Sequence, residues 1–337
     1  MSRLSLLLLG TLVAMPAFAQ SSDEPAMADA TSVESASTEV TPADEPATDA
    51  RTAYTEKLEE AQGAAEGDTP EGYLEAARLY LEARDIAANS GDEELVPFAA
   101  SAAESAVASY KNAGDAYKAQ AEAAGDDAEA AGSAYLAAAA QFVAAADLTS
   151  SLESTSNEAT LRYFAGDAYA DASDFENGMA QLDRAIELAP EEYNFQLVRA
   201  QVMMKSGDME GAQTSLAELI TASEAAGESS VNNNASQMLG MTYLRTANAQ
   251  IKDDSFTDGI ATLDAAAEYL GPDNETLNKL YTSAYYKLGV AQVRAEQFSS
   301  AKGNFEQALA YGRRAGMDRI VGAAQQQLDY IAEVQGN

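Results

Sequence analysis

The side chains that perform most enzyme chemistry are either missing from this sequence or too common to be informative. The 337 residues include no Cys, His or Trp. A Ser-His or Cys-His nucleophile is therefore impossible, and so is a thiolate or imidazole metal site. The 54 Asp and Glu residues could supply the two carboxylates of a glycoside hydrolase, but with so many acids such pairs arise by chance. The residue inventory argues against an enzyme.

Two acidic turns have the composition of a cation-binding loop without its spacing. The run 253–259 lacks the alternating acidic positions and the closing bidentate Glu of a calcium loop. The acids Asp171, Asp174 and Glu176 have the same deficiency. Neither a Gly-Lys-Ser/Thr loop nor a G-x-G-x-x-G fingerprint is present. We therefore predict no metal site, no nucleotide site and no cofactor.

The charge balance narrows the range of partners. Lys and Arg number 20 against 54 acids, which gives a net charge of −34. Such a field repels nucleic acid and anionic membrane surfaces, so we predict a partner of neither kind. An acidic surface of this extent resembles that of proteins from halophilic bacteria. The rival interpretation is a surface that binds basic partners or cations, and the sequence leaves both open.

Residues 1–19 have the pattern of a secretory signal peptide. Arg3 supplies the positive n-region, residues 4–15 form the apolar h-region, and an Ala-Phe-Ala cleavage motif ends at Ala19. The apolar run is shorter than the roughly 20 residues that cross a bilayer, so a retained anchor is the less favoured alternative. We expect cleavage after Ala19, a location in the periplasm or outside the cell, and no membrane span afterwards.

The next segment, residues 20–51, is predicted to be a disordered acidic linker. From residue 20 to residue 50 it contains acids, Ser, Thr, Ala and Pro but no Lys or Arg, and it shows no apolar periodicity. Such a composition cannot bury enough surface to offset the entropy of ordering. A tail that binds a partner is the alternative.

From residue 52 onward the sequence becomes a series of helical patterns separated by Gly, Asp and Asn. Alanine, the best helix former, makes up roughly a fifth of the chain. The string Ala-Gly-Asp-Ala-Tyr occurs at 113–117 and again at 165–169. A Gly inside a helix costs about 1 kcal/mol relative to Ala, so its reuse indicates close packing against another helix. The pattern predicts an all-α chain.

The clearest repeat unit spans residues 159–192. Its first helix carries Gly166 and Tyr169, a turn follows at Asp174, and the second helix stops at Pro190. The next unit begins 34 residues later. This pattern resembles the tetratricopeptide repeat (TPR), in which a small residue and Gly precede an aromatic on the first helix and a Pro closes the second. The Trp typical of that family is absent throughout.

Two further units match with different quality. Residues 282–312 fit the pattern directly, whereas residues 233–271 fit with an insertion. In the second case we place the motif at 239–243, and Phe256 then comes about seven residues late. We therefore predict that both helices of that unit are longer by about a turn. Upstream of residue 155 the match weakens, and we predict a stretched turn between two helices there.

The resemblance implies a right-handed α-solenoid of helix-turn-helix repeats. We divide the chain into a signal peptide, an acidic linker, degenerate Ala-rich hairpins, TPR-like repeats and a C-terminal capping helix. The respective bounds are 1–19, 20–51, 52–155, 156–316 and 317–337. A plain helical bundle is the alternative fold, and residues 93–150 could instead form a coiled-coil-like hairpin.

The family resemblance also implies a concave groove, lined by the first helices, that binds a protein or peptide. The predicted groove residues are Tyr163, Asp167, Asn194, Gln201, Lys205, Gln237, Arg245, Tyr286 and Arg294. In this alignment Lys205, Arg245 and Arg294 share one position in three successive repeats. Such a row of cations would suit an acidic or C-terminal carboxylate segment. It could equally complement the helix dipoles, because each cation is predicted near the end of a first helix.

These observations favour an exported, non-catalytic TPR-like scaffold that binds another protein or peptide in the cell envelope. The second hypothesis is a structural envelope protein that self-associates through its solenoid ends or its Ala-rich hairpins. A carboxylate-dependent hydrolase is the third.

Overall fold

The computed structural model describes residues 45–336. The predicted signal peptide, its cleavage site and the linker up to residue 44 lie outside the described residues. Within them the chain forms thirteen α-helices and no strand. None of these helices has both the length and the apolar character needed to cross a membrane. The helices are α1 (Glu45–Ala65), α2 (Pro70–Asn89), α3 (Phe98–Ala123), α4 (Ala128–Ser151), α5 (Thr155–Asp171), α6 (Phe175–Leu188), α7 (Tyr193–Ser206), α8 (Met209–Ala226), α9 (Ser229–Lys252), α10 (Phe256–Leu270), α11 (Glu275–Arg294), α12 (Phe298–Arg314) and α13 (Asp318–Gly336).

Each helix packs mainly on its neighbours in the chain, which makes the predicted all-α solenoid of helical hairpins the observed architecture. From α5 onward the first helices of successive hairpins also contact one another: α5 with α7, α7 with α9, α9 with α11, and α11 with α13. The second helices of the described hairpins make no comparable contacts with each other. The stack therefore curves toward its first helices, whose exposed side we call the inner face.

Helix α1 begins inside the segment that the sequence assigned to the linker. Ala50 packs with the cluster around Tyr54. Arg51 forms ion pairs with Asp92 at 2.5 Å and with Glu94 at 2.7 Å, on the turn that follows α2. The prediction placed the end of the linker too late, because an acid-rich composition hid the start of an amphipathic helix.

The turns inside the last four hairpins share one backbone geometry. In each, the residue two positions before the second helix has a left-handed conformation, which suits Gly and is tolerated by short polar residues. The four residues are Ser173, Gly207, Asp254 and Glu296, with φ of 65°, 94°, 60° and 60°. These four positions are equivalent and fix the alignment of the repeats.

This alignment corrects the third TPR-like repeat. Gly166 lies seven residues before its left-handed turn residue, and the same distance before Asp254 is Ala247, not Gly240. The packing agrees: a Cβ on Gly178 would lie 3.1 Å from the Gly166 oxygen, and one on Gly259 would lie 3.4 Å from the Ala247 oxygen. The equivalent residue is therefore Ala247.

The insertion in that repeat lies entirely at the start of α9. Helix α9 has 24 residues, but α10 has 15, close to the 14 of α6. The prediction that both helices are lengthened is therefore wrong for α10. Gly240 has a packing role of its own, since a Cβ there would lie 2.6 Å from Leu270 Cγ at the end of α10.

The Ala-rich hairpin of α3 and α4 differs from the prediction in a similar way. The helices are 26 and 24 residues long, and the turn between them is short. The inserted residues extend the helices and do not stretch the turn. Gly114 allows close contact, because a Cβ there would lie 2.7 Å from the ring of Phe142.

Tyrosines fill the interior of the last hairpins. The rings of Tyr281 and Tyr311 stack at 4.4 Å between centroids, and Tyr285 lies nearly parallel to both. The Tyr281 hydroxyl donates a 2.6 Å hydrogen bond to Asp264. Burial, together with this carboxylate, raises the pKa of Tyr281 well above its usual range. The phenol is therefore neutral wherever the protein is folded near neutral pH.

The chain closes with α13, which packs on α12 and α11 as the predicted cap. Ala324 and Ile331 are buried there, and Leu328 packs against the same cluster. The other side of the helix is not fully polar. Tyr330 is 48% exposed and Val334 is 41% exposed.

Candidate functional site

The first part of the inner face is closed by ion pairs between successive first helices. Lys118 on α3 meets Asp167 on α5 at 2.7 Å, and Asp171 on α5 meets Lys205 on α7 at 2.8 Å. The predicted groove residues Asp167 and Lys205 thus bind neighbouring helices. Lys118 takes part on the same face, and sequence reasoning missed it because its helix lies outside the regular repeats.

Two predicted groove residues, Tyr163 and Tyr286, are packing residues. The ring of Tyr163 stacks on Phe195 with 4.9 Å between centroids, and burial raises its pKa. The ring of Tyr286 contacts Phe305 at 5.8 Å. Both side chains are half-buried, so most of their surface serves contacts between helices.

The amide side chains predicted for the groove lie on an open surface. Asn194, Gln201 and Gln237 are exposed on α7 and α9. Gln201 Nε2 lies 3.7 Å from the sulfur of Met238, which joins the two helices. Next to them Met241 is 48% exposed, an unusual exposure for a large apolar side chain.

One member of the predicted row of cations was assigned to the wrong position. Counted from the left-handed turn residues, the equivalent side chains are Lys205, Lys252 and Arg294, each in the last turn of its helix. Arg245 lies seven residues before Lys252 and is not near a helix end. The dipole interpretation therefore fails for Arg245 and applies to Lys252, which the sequence alignment missed.

Three of these cations are available to a partner. Arg245, Lys252 and Arg294, which we call the inner cations, are exposed. Within residues 45–336 none of them forms an ion pair, a hydrogen bond or a contact with an aromatic ring. Lys205 differs, because Asp171 already neutralises it.

The two helices that carry the inner cations, α9 and α11, and the neighbouring first helix α7 are almost free of carboxylates. Helices α7 and α9 contain no Asp or Glu, and α11 contains only Glu275, at its first residue. The second helix α8, by contrast, carries Glu210, Glu218 and Glu224. In a chain with 54 acids this depletion sets α7, α9 and α11 apart from the first helix α5, which carries three acids, although the second helix α12 is equally poor with Glu306 alone. Loss of acids with retention of Arg and Met is typical of the core of a protein interface.

The described residues offer little for catalysis. No group of three or more acids is placed to hold a metal ion in the described part of the chain. An open depression of about 460 Å³ lies between α7 and α8, away from the inner cations. It is lined by Arg199, Asp208, Glu210 and Glu218 among others, and Arg199 is held by Asp183 at 2.5 Å. This arrangement encloses no reacting centre.

Comparisons with protein-family models and with curated proteins give no match. Among solved structures, the TPR2AB-domain:pHSP90-complex of yeast Sti1 is 13% identical, with 84% of this chain and 99% of that chain covered and a TM-score of 0.31. A tetratricopeptide repeat protein from Parabacteroides merdae is 13% identical, with 81% and 99% covered and a TM-score of 0.22. These superpositions are loose. The TPR-like assignment of this chain rests on its own turns and helix contacts.

Proposed function

We propose that the protein is an exported, non-catalytic repeat scaffold that binds another protein or peptide on the inner face of α7, α9 and α11. The observation that carries this proposal is the absence of carboxylates from those helices beyond the first residue of α11, beside three unpaired cations. The acid-rich surface of α1 to α6 and of α8 repels an acidic partner, whereas this strip allows such a partner to approach.

The inner cations suit an acidic segment of the partner. Each presents an exposed positive charge, and a carboxylate that reaches it forms a charge-assisted hydrogen bond. The amides of Gln201 and Gln237 can bond to a peptide backbone, and Met241 offers an adaptable apolar contact. Because the helices are held by the hairpin cores, binding needs no folding of the scaffold.

The test is to replace Arg245, Lys252 and Arg294 by Gln and to compare capture from an envelope extract of the native host after crosslinking. A partner identified by mass spectrometry should be lost from the triple variant and retained by the parent. The matched control replaces Arg313, Arg314 and Arg319 by Gln, which removes the same charge from the same region. Equal capture by the parent and the inner-face variant, both folded by circular dichroism, would refute the proposal.

Export is a separate part of the proposal and has its own support. The pattern of residues 1–19 is that of a signal peptide, and the described helices contain no membrane-spanning candidate. We expect the mature chain to start at Gln20. The intact mass of the protein purified from its host decides this, and a mass that includes residues 1–19 would remove the export claim without touching the binding claim.

A further inference from the structure

The described chain is electrically polarised along its length. Residues 45–228 hold 36 acids and ten cations, a net charge of −26, whereas residues 229–336 hold 12 acids and nine cations, a net charge of −3. Every cation of the first part takes part in an ion pair. In the second part of the described chain Lys279 alone does so. Unpaired positive charge is thus concentrated near one end.

Three of the unpaired cations form what we call the arginine corner: Arg313, Arg314 and Arg319. The first two lie in the last turn of α12 and the third in the first turn of α13, and all are exposed. Arg314 lies over the Tyr311 ring at 5.5 Å. Asp318 is the one acid between residues 313 and 319, and it forms no ion pair with another described residue.

The position of Arg319 cannot be explained by its own helix. A helix N-terminus carries partial positive charge, so a cation in the first turn is unfavourable there. Two further arginines lie a few residues away in the chain, across a short turn. An anionic partner would offset both the repulsion from the helix N-terminus and the repulsion among the three arginines. The arginine corner therefore has the electrostatics of a surface that is completed by another molecule.

The free side of α13 adds an apolar anchor. Tyr330 lies 11 residues, about three helical turns, beyond Arg319, on the same side of the helix. The buried residues Ala324 and Ile331 face the opposite way, toward α12. Exposed Tyr and Arg together are the side chains most often found at the energetic centre of protein interfaces.

The other end of the described chain carries the complementary charge. Asp49, Glu56 and Glu59 are exposed along one side of α1, and none forms an ion pair with another described residue. We call these three residues the α1 acidic face. Glu60 is excluded from it because Lys57 holds it at 2.6 Å. Helix α1 packs mainly on α2 and meets α3 through Tyr54 and Phe98, and the three acids stay exposed outside both contacts.

We propose that the arginine corner of one copy binds the α1 acidic face of a second copy, with Tyr330 against the surface of α1. The net charge of −34 does not forbid this contact. At about 0.15 M salt the screening length is about 8 Å, so charges within the contact act and distant like charges do not. The two surfaces differ, so the contact is head-to-tail and builds rings or open chains.

The experiment is sedimentation velocity of the full chain across a wide range of concentration. At about 0.15 M salt the sedimentation coefficient should rise with concentration, and at about 1 M, where screening shortens to about 3 Å, the rise should disappear. Replacing Arg313, Arg314 and Arg319 by Glu should give a monomer. Replacing Asp49, Glu56 and Glu59 by Lys should do the same.

The decisive arm mixes the two charge-reversed variants. In each variant alone the two surfaces carry the same sign of charge and repel each other. In the mixture the acidic surfaces of one variant face the basic surfaces of the other, so the mixture should associate while its components do not. The control replaces Arg245, Lys252 and Arg294 by Glu, the same charge change on the inner face, and should associate like the parent. A parent that stays monomeric at every salt level, or a mixture that fails to associate, would overturn the proposal. Neither result bears on partner capture by the inner cations.

Discussion

The first eight helices and the last five share one architecture but use their cations differently. In α1 to α8 every Lys and Arg is held by a carboxylate, as in the pair of Arg51 with Asp92. In α9 to α13 most cations are exposed and unpaired although acids are present nearby. Surface ion pairs contribute little to stability, so this difference says little about folding. It indicates where positive charge is left for other molecules.

A single position shows how the difference arises. On α5 and α7 the equivalent side chains of Asp171 and Lys205 lie next to each other on the inner face, 2.8 Å apart. The residue that precedes Lys252 in this series is Lys205, and the residue that precedes Arg294 is Lys252. Asp171, at the start of the row, neutralises Lys205, and the cations that follow it have no acidic partner among the described residues. The row therefore has a paired end and an open end.

The largest expected effect tests whether the two regions have equivalent cores, and it comes from removing a buried Phe from each. Phe142 and Phe305 are each almost fully buried, and each packs under the glycine of a neighbouring helix, Gly114 and Gly289. Replacing either by Ala should lower the free energy of unfolding by about 3–5 kcal/mol, the usual cost of removing a buried Phe. Urea unfolding of both variants tests this, with the exposed Tyr330→Ala as control. If one variant loses much less unfolding free energy than the other, the two regions do not have equivalent cores.

An intermediate effect is expected from salt. Repulsion within a region of net charge −26 opposes compaction, and raising KCl from about 0.1 M to about 1 M shortens the screening length from about 10 Å to about 3 Å. The melting temperature should therefore rise, by roughly 2–4 °C for each kcal/mol gained. Hydrogen exchange should show the larger gain in protection in α1 to α8. An unchanged midpoint, or equal gains in both regions, would contradict this view.

The smallest expected effect distinguishes the stabilisation by an ion pair from the stabilisation by a helix dipole. Lys205 and Lys252 occupy the same position in the last turn of a first helix, but only Lys205 has an acidic partner among the described residues. Replacing Lys205 by Gln should cost about 0.2–1 kcal/mol more than the same change at Lys252, because both lose the dipole contact and one also loses a half-exposed ion pair. A double-mutant cycle with Asp171→Asn measures the pair directly. A coupling of zero would show that the two cations are energetically equivalent.

The repeating parts of the fold could be predicted, and the irregular parts could not. Gly166, Asp174 and the spacing of 34 residues predicted two hairpins correctly, because close packing and a capped turn each demand particular residues. The third repeat was misaligned because Gly240 also packs closely, against a different helix. A glycine inside a helix indicates close packing, but it does not indicate which helix packs against it. The turn at Asp254 was the better guide.

The binding surface was harder to predict than the fold. The polar residues Asn194, Gln201 and Gln237 are exposed, and helical periodicity decides which side of a helix a residue takes, but their part in a groove stays a prediction. Whether a charge is free depends on the neighbouring repeat, and periodicity does not contain that information. Lys205 is therefore paired and Lys252 open, although their local sequences both end a helix before an acidic turn.

The tyrosines of this chain provide an intrinsic spectroscopic signal. The chain has 16 Tyr and no Trp, so its near-ultraviolet absorption and emission come almost entirely from phenol rings. In alkali, exposed phenols ionise and their absorption moves to longer wavelength, whereas Tyr281, with its raised pKa, keeps its proton until the hairpin opens. Burial also raises the pKa of Tyr54 and Tyr80 in α1 and α2, so the late part of the absorption titration reports on buried phenols in the first and the last hairpins, while circular dichroism follows all of the helices at once.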